Sequence, residues 1–127
     1  MANEHRNTEN DKITLEIARK LASEGKYNDA FKLLSSLLRS QYAVEASILI
    51  AKMYAQNKDF TNAERYFNHA LSMDGHNSEA LLGLNKCLEL KDSSIRTFIS
   101  FNKLNIVAGT FIVLIAVLLA VTFNAMF

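Results

Sequence analysis

The amino-acid sequence predicts an all-α protein, with about two and a half helix-turn-helix units followed by a C-terminal transmembrane helix. Three observations lead there. Every charged residue lies at or before Lys103, so residues 104–127 form an uncharged run of 24. The stretch GKYNDAFKLLSSLL from Gly25 aligns with KDFTNAERYFNHAL from Lys58 at an offset of 33. Apolar residues within both stretches recur at helical spacing. The chain has 127 residues with 14 basic and 13 acidic side chains, one cysteine and no proline. That length leaves room for one modest domain beside the span. A net charge of +1 gives no field of one sign, so charge balance points to neither nucleic acid nor an acidic substrate.

The elements follow in chain order. Residues 1–11 are polar without an apolar period and predict a disordered arm. Ile13, Ile17, Ala18 and Leu21 make one helical stripe, and Ala30, Phe31, Leu34, Leu37 and Leu38 a second, with Gly25 and Lys26 interrupting them. Ile48, Ala51, Tyr54 and Ala55 predict a third helix. After a turn at residues 57–59, Ala63, Tyr66, Phe67, Ala70 and Leu71 predict a fourth. A fifth opens at Ser78, read as an N-cap with Glu79 near the helix start, and runs through Ala80, Leu81, Leu84 and Leu88 to Leu90. The offset pairs Ala18 with Ala51, Leu21 with Tyr54, Tyr27 with Phe60, Ala30 with Ala63 and Leu34 with Phe67. Each unit therefore reads as helix, short turn, helix.

At these residues the sequence resembles the tetratricopeptide repeat family. The resemblance is clearest in Ile50, Ala51, Tyr54, the Lys58-Asp59-Phe60 turn, Ala63, Phe67, Ala70 and the closing Met73-Asp74. It implies helix pairs whose backbones approach most closely at Ala51, Ala63 and Ala70, with Tyr54, Phe60 and Phe67 filling the gaps. The proline usual after the second helix is absent, and Gly75 and Tyr42 stand there instead. Carrying the spacing onward puts Thr97, Phe101 and Leu104 where Ala63, Phe67 and Ala70 stood. Lys91 to Ser94 supplies the turn and cap before this last helix, which then runs on into the span. The expected divisions are a polar arm at 1–11, a helical domain at 12–103 and the transmembrane helix at 104–127.

The uncharged run is long enough, at about 1.5 Å per residue, to cross a hydrocarbon layer of about 30 Å. A helix apolar on all sides is also what a buried core helix looks like, but about 100 remaining residues could hardly wrap one. Lys86, Lys91, Arg96 and Lys103 precede the run and nothing basic follows it. That asymmetry predicts a cytoplasmic N-terminal domain with the C-terminus across the membrane. The first twenty residues hold no continuous apolar stretch, so no secretory signal is expected, and the arrangement reads as single-pass and tail-anchored. Asn105, Gly109, Ala116 and Ala120 fall within about 60° of one another on the helix and form a candidate packing face for a membrane partner.

The inventory for catalysis is thin. His5, His69 and His76 do not cluster with Cys87 at metal-ligand spacing, and no glycine-rich phosphate loop occurs among only four glycines. No catalytic residue, metal or cofactor is predicted, and Cys87 reads as an inert half-buried thiol. What a repeat array offers is a concave surface lined by the first helix of each pair. Equivalent positions there carry Arg19, Lys52 and Lys86, and the positions four residues earlier carry Leu15, Ile48 and Leu82. One reading is a groove for a partner segment that sets apolar side chains on the aliphatic row and acids on the basic row. The other is a mixed solvated surface, because Glu45 and Glu79 lie on the same faces as Lys52 and Lys86. The leucines and isoleucine depart from the Lys and Asn clamp by which family members grip chaperone tails.

The expected function is that of a membrane-anchored adaptor or assembly protein, with protein partners in the groove and in the bilayer and with no nucleic acid or small-molecule substrate. The competing expectation is a structural accessory subunit of a larger membrane complex.

Overall fold

The computed structural model describes the backbone of residues 2–126 and the side chains of 7–100 and 102–126. The expectations for His5 and for the Phe101 side chain lie outside the described residues. Within them the chain is helical, with α1 at Ala2–Ser23, α2 at Tyr27–Leu37, α3 at Ala43–Gln56, α4 at Phe60–Met73 and α5 at Ser78–Met126. It divides into two compact units, Met1–Leu90 and Lys91–Phe127.

In the first unit α1 packs on α2, α2 on α3, and α3 on α4. Alanines sit at the close approaches. Ala18, Ala30, Ala51, Ala63 and Ala70 are fully buried, so helix backbones come together with no side chain between them. Larger residues fill the remaining space in two clusters. Leu15, Leu34, Leu37, Ile50 and Met53 belong to the first, and Ile48, Phe67, Ala80 and Cys87 to the second. Tyr54 joins them: it meets Phe31 edge-on at 6.3 Å and stacks on Tyr66 at 5.7 Å. Fully burying a side chain such as Leu34 or Phe67 contributes about 1.5–3 kcal/mol, which is the main support for helices this short.

The turns that end α1 and α3 are built alike. The Gly25 N–H donates to the Ala22 carbonyl at 3.1 Å and the Lys26 N–H to the Leu21 carbonyl at 2.9 Å, while Gly25 has φ +76°. The Lys58 N–H donates to the Ala55 carbonyl at 3.0 Å and the Asp59 N–H to the Tyr54 carbonyl at 3.0 Å, with Lys58 at φ +61°. Both are Schellman closures, in which one left-handed residue turns the chain back on the last carbonyls. Asp59 then caps α4, its carboxylate accepting from the Asn62 N–H at 3.1 Å.

Three local expectations are revised. The N-cap of α5 is Asn77, whose side-chain oxygen accepts from the Ala80 N–H at 3.0 Å, so Ser78 is the first helical residue. The polar arm, for which the sequence predicts no order, is helical from Ala2. It holds no Gly or Pro to interrupt a helix. From Asn7 to Thr14 it buries no side chain. The turn expected at Lys91 to Ser94 is absent, and α5 passes through these residues. No residue among them takes the left-handed conformation that Gly25 and Lys58 take in the other two turns. Asp92 pairs with Arg96 at 2.8 Å one turn on, and the Thr97 hydroxyl donates to the Ser93 carbonyl at 2.9 Å, both within the helix.

The second unit is the remainder of α5. It contains a stretch long and apolar enough to cross a membrane. None of its described side chains beyond Lys91 is buried within this chain. The hydroxyls inside the apolar stretch are satisfied by the helix itself: Thr110 donates to the Val107 carbonyl at 2.8 Å and Thr122 to the Leu119 carbonyl at 2.9 Å. A hydroxyl bonded in this way does not need water.

Candidate functional site

The basic row lies along two neighbouring depressions in the first unit. Arg19, Glu45, Ile48, Leu49, Lys52 and Glu79 line a cavity of about 360 Å³. A second, of about 470 Å³, lies between α3 and the first turns of α5, where Lys52, Ala55 and Gln56 face Leu82, Gly83, Lys86 and Leu90, with Phe67, Cys87 and Glu79 completing the wall. Lys52 and Glu79 belong to both. The second cavity is within the size range of ordinary ligand sites, and its walls are mostly apolar.

The aliphatic row does not survive as a row. Leu15 is 4% exposed in the core of the first helix pair, and Ile48 is 4% exposed in the second cluster. Four residues back along a helix is a rotation of about 40°, enough to carry these two side chains off the open face and under the neighbouring helix. Leu82, at 71% exposed, is the member that stands at a cavity mouth.

Acids meet part of the basic row. Lys52 forms an ion pair and hydrogen bond with Glu79 of α5, and Arg19 lies 3.6 Å from Glu16 on its own helix. Lys86 has no carboxylate partner among the described residues. The mixed-surface reading therefore describes Lys52, and the groove reading keeps Lys86 and Leu82.

The wall residue Gly83 escapes the sequence reading. Gly83 faces the ring of Phe67, and a Cβ placed there would overlap the ring's Cζ and Cε1 atoms. An isolated glycine inside a helical pattern was the available signal. Cys87 is buried at the base of the cavity. That burial, with the Glu64 carboxylate adding to it, pushes the thiol pKa up, so the group is held neutral and a poor nucleophile. Ser47, fully buried, donates to the Ala43 carbonyl at 2.7 Å and lies 2.9 Å from His69 Nδ1.

Among the described residues no three His, Cys, Asp or Glu side chains converge as metal ligands would. Asn105, Gly109, Ala116 and Ala120 are all exposed on the second unit, and a side chain added at Gly109 would meet nothing. No protein-family model matches the chain, and a search of curated proteins finds no match.

Proposed function

We propose that this chain is a membrane-anchored adaptor or assembly protein built on tetratricopeptide-like helix pairs. Its groove holds a segment of a cytosolic partner while the apolar stretch of α5 anchors it in a bilayer. The cavity between α3 and α5 carries this reading, because apolar walls at Ala55, Leu82, Gly83 and Leu90 stand beside a lysine, Lys86, that no acid among the described residues engages. A partner segment suited to it presents a large apolar side chain to the walls and a carboxylate to Lys86. Lys86, Lys91, Arg96 and Lys103 ahead of the apolar stretch favour a cytoplasmic first unit. The small face at Asn105, Gly109, Ala116 and Ala120 suits close packing against another membrane helix. Two modest contacts on one chain raise the effective concentration of each partner for the other.

The Lys52–Glu79 pair favours a second reading. A groove that neutralises part of its own charge is consistent with a structural accessory subunit whose concave side takes no separate ligand. Capture from mild detergent with the intact chain distinguishes the two. In the adaptor, Lys86→Glu releases a soluble partner and Ala116→Leu with Ala120→Leu releases a membrane partner. In an accessory subunit, Lys86→Glu changes nothing and the anchor substitutions dissociate everything. Partners indifferent to both changes refute both readings.

A further inference from the structure

The face of α5 between Leu81 and Leu88 has covered counterparts elsewhere in the chain. Under the repeat register, on which the proposed function also rests, Ser47, Ala51 and Tyr54 of α3 correspond to Leu81, Asn85 and Leu88 at an offset of 34. On α3 the first two are fully buried, and Tyr54 is half-buried with its ring stacked on Tyr66 of α4. One unit earlier Ala18 is fully buried and Leu21 half-buried, on the helix that packs against α2. On α5 the same positions are open, with Leu81 at 42%, Leu88 at 43% and Asn85 exposed between them.

The rim of this face differs as well. The register position held by Ala22 and Ala55 carries Glu89 in the third unit. Glu89 is exposed and has no ion-pair partner among the described residues. A face that the earlier units close against a helix is here left open and edged by a carboxylate.

We propose that this face seats a basic amphipathic helix of a partner protein, lying where α2 and α4 lie on the earlier units. Leu81 and Leu88 are two turns apart on one stripe, about 10 Å along the axis, which suits the apolar side of a helix crossing at a shallow angle. Glu89 selects a Lys or Arg on the occupant's flank, and the Asn85 amide offers a donor and an acceptor to a polar residue at its centre. The groove of the proposed function lies on another side of the same helix, through Gly83, Lys86 and Leu90. One helix thereby presents two separate docking surfaces.

The test uses the full chain in detergent micelles and a fluorescein-labelled peptide with the sequence of α4, residues 60–73, carrying Glu64→Lys. Anisotropy is expected to show saturable binding. Leu81→Asp and Leu88→Asp each weaken it by at least about tenfold, and Glu89→Gln by roughly threefold at low salt. Leu90→Asp and Lys86→Glu, on the groove side of α5, leave it within about twofold. All these side chains are exposed, so unchanged helical circular dichroism is the folding control. Absence of saturable binding up to roughly 100 µM, or equal loss with Leu90→Asp, overturns the proposal. So does a dimer that Leu81→Asp dissolves, which assigns the face to a second copy. A Leu81→Cys thiol that resists maleimide before peptide is added means that the chain covers the face itself, and also overturns it. Lys86→Glu reports on the groove alone, so failure of the groove reading and failure of this one are separately visible.

Discussion

Replacing Gly83 with alanine is expected to reverse in sign according to the size of one neighbour. In an exposed helix interior, Gly→Ala stabilises by about 1 kcal/mol through backbone entropy. At Gly83 the added Cβ would overlap Cζ and Cε1 of Phe67, with Cε2 at 3.0 Å, where carbon contacts are comfortable only near 3.5–4.0 Å. The ring must retreat by roughly 1 Å or more. It is 2% exposed and packed in the cluster that holds Ala51, Ala63 and Ala70, so it has little room. Overpacking of this kind costs about 1–3 kcal/mol. With a severe overlap near the upper part of that range, the net effect of Gly83→Ala is a loss of about 1–2 kcal/mol. For a domain of this size that lowers the melting temperature by roughly 5–10 °C.

Phe67→Leu removes the atoms that collide. It destabilises by itself, but in its background Gly83→Ala should raise the melting temperature, because only the backbone term remains. Thermal circular dichroism of the four proteins in detergent gives the coupling directly. A Gly83→Ala chain that melts higher than the parent, or one equally destabilised whether residue 67 is Phe or Leu, refutes the ring-on-glycine packing.

Other positions give sharper local tests. Lys58 holds the left-handed position that Gly25 holds one repeat earlier, so Lys58→Gly should stabilise by roughly 0.5–1 kcal/mol after the added freedom of the unfolded chain is counted. Gly25→Ala should destabilise by about 1 kcal/mol, and melting temperatures moving the other way contradict the Schellman closures. The Cys87 thiol should react with a maleimide at pH 8 far more slowly in the native chain than in urea, because burial raises its pKa and shields it; equal rates would place the side chain on the surface. Asp59 accepts hydrogen bonds from the Asn62 side chain and from its N–H, which hold the carboxyl below its ordinary value near 3.8. A depressed folded pKa contributes stability above the unfolded value and loses it as the pH falls through the folded one. The melting temperature should therefore fall below about pH 4, and Asp59→Asn, which still caps but does not titrate, should flatten that acid limb. An unchanged limb assigns the acid sensitivity elsewhere.

Much of the helical order was legible because it is local. The alanines at 18, 30, 51, 63 and 70, the glycine at 25 and the aromatic residues between them mark helix faces and a turn through periodicity and backbone chemistry. The uncharged residues after Lys103 mark a segment that its own chain does not bury. These features depend on spacing along the sequence, so the helices and the apolar stretch could be read from it.

The candidate site was legible only in part, since a site depends on which side of each helix its neighbours occupy. Leu15 and Ile48 match Leu82 in register, yet Leu15 is buried in the core and Ile48 reaches only the wall of the smaller cavity, while Leu82 is exposed. Lys52 and Lys86 match in register, yet only Lys52 meets Glu79, twenty-seven residues along the chain. A fold-back at Lys91 to Ser94 was suggested by the repeat, but no residue there supplies the left-handed turn, and the helix pair 92–96 carries its own ion pair instead. The sequence by itself determined the amphipathic helices between Ile13 and Leu90, the repeat spacing and the apolar stretch, all of which are periodic properties of single segments. The tertiary structure decided which equivalent residues are core, which are paired and which remain open, because burial and charge pairing are set by distances between segments that no local pattern encodes.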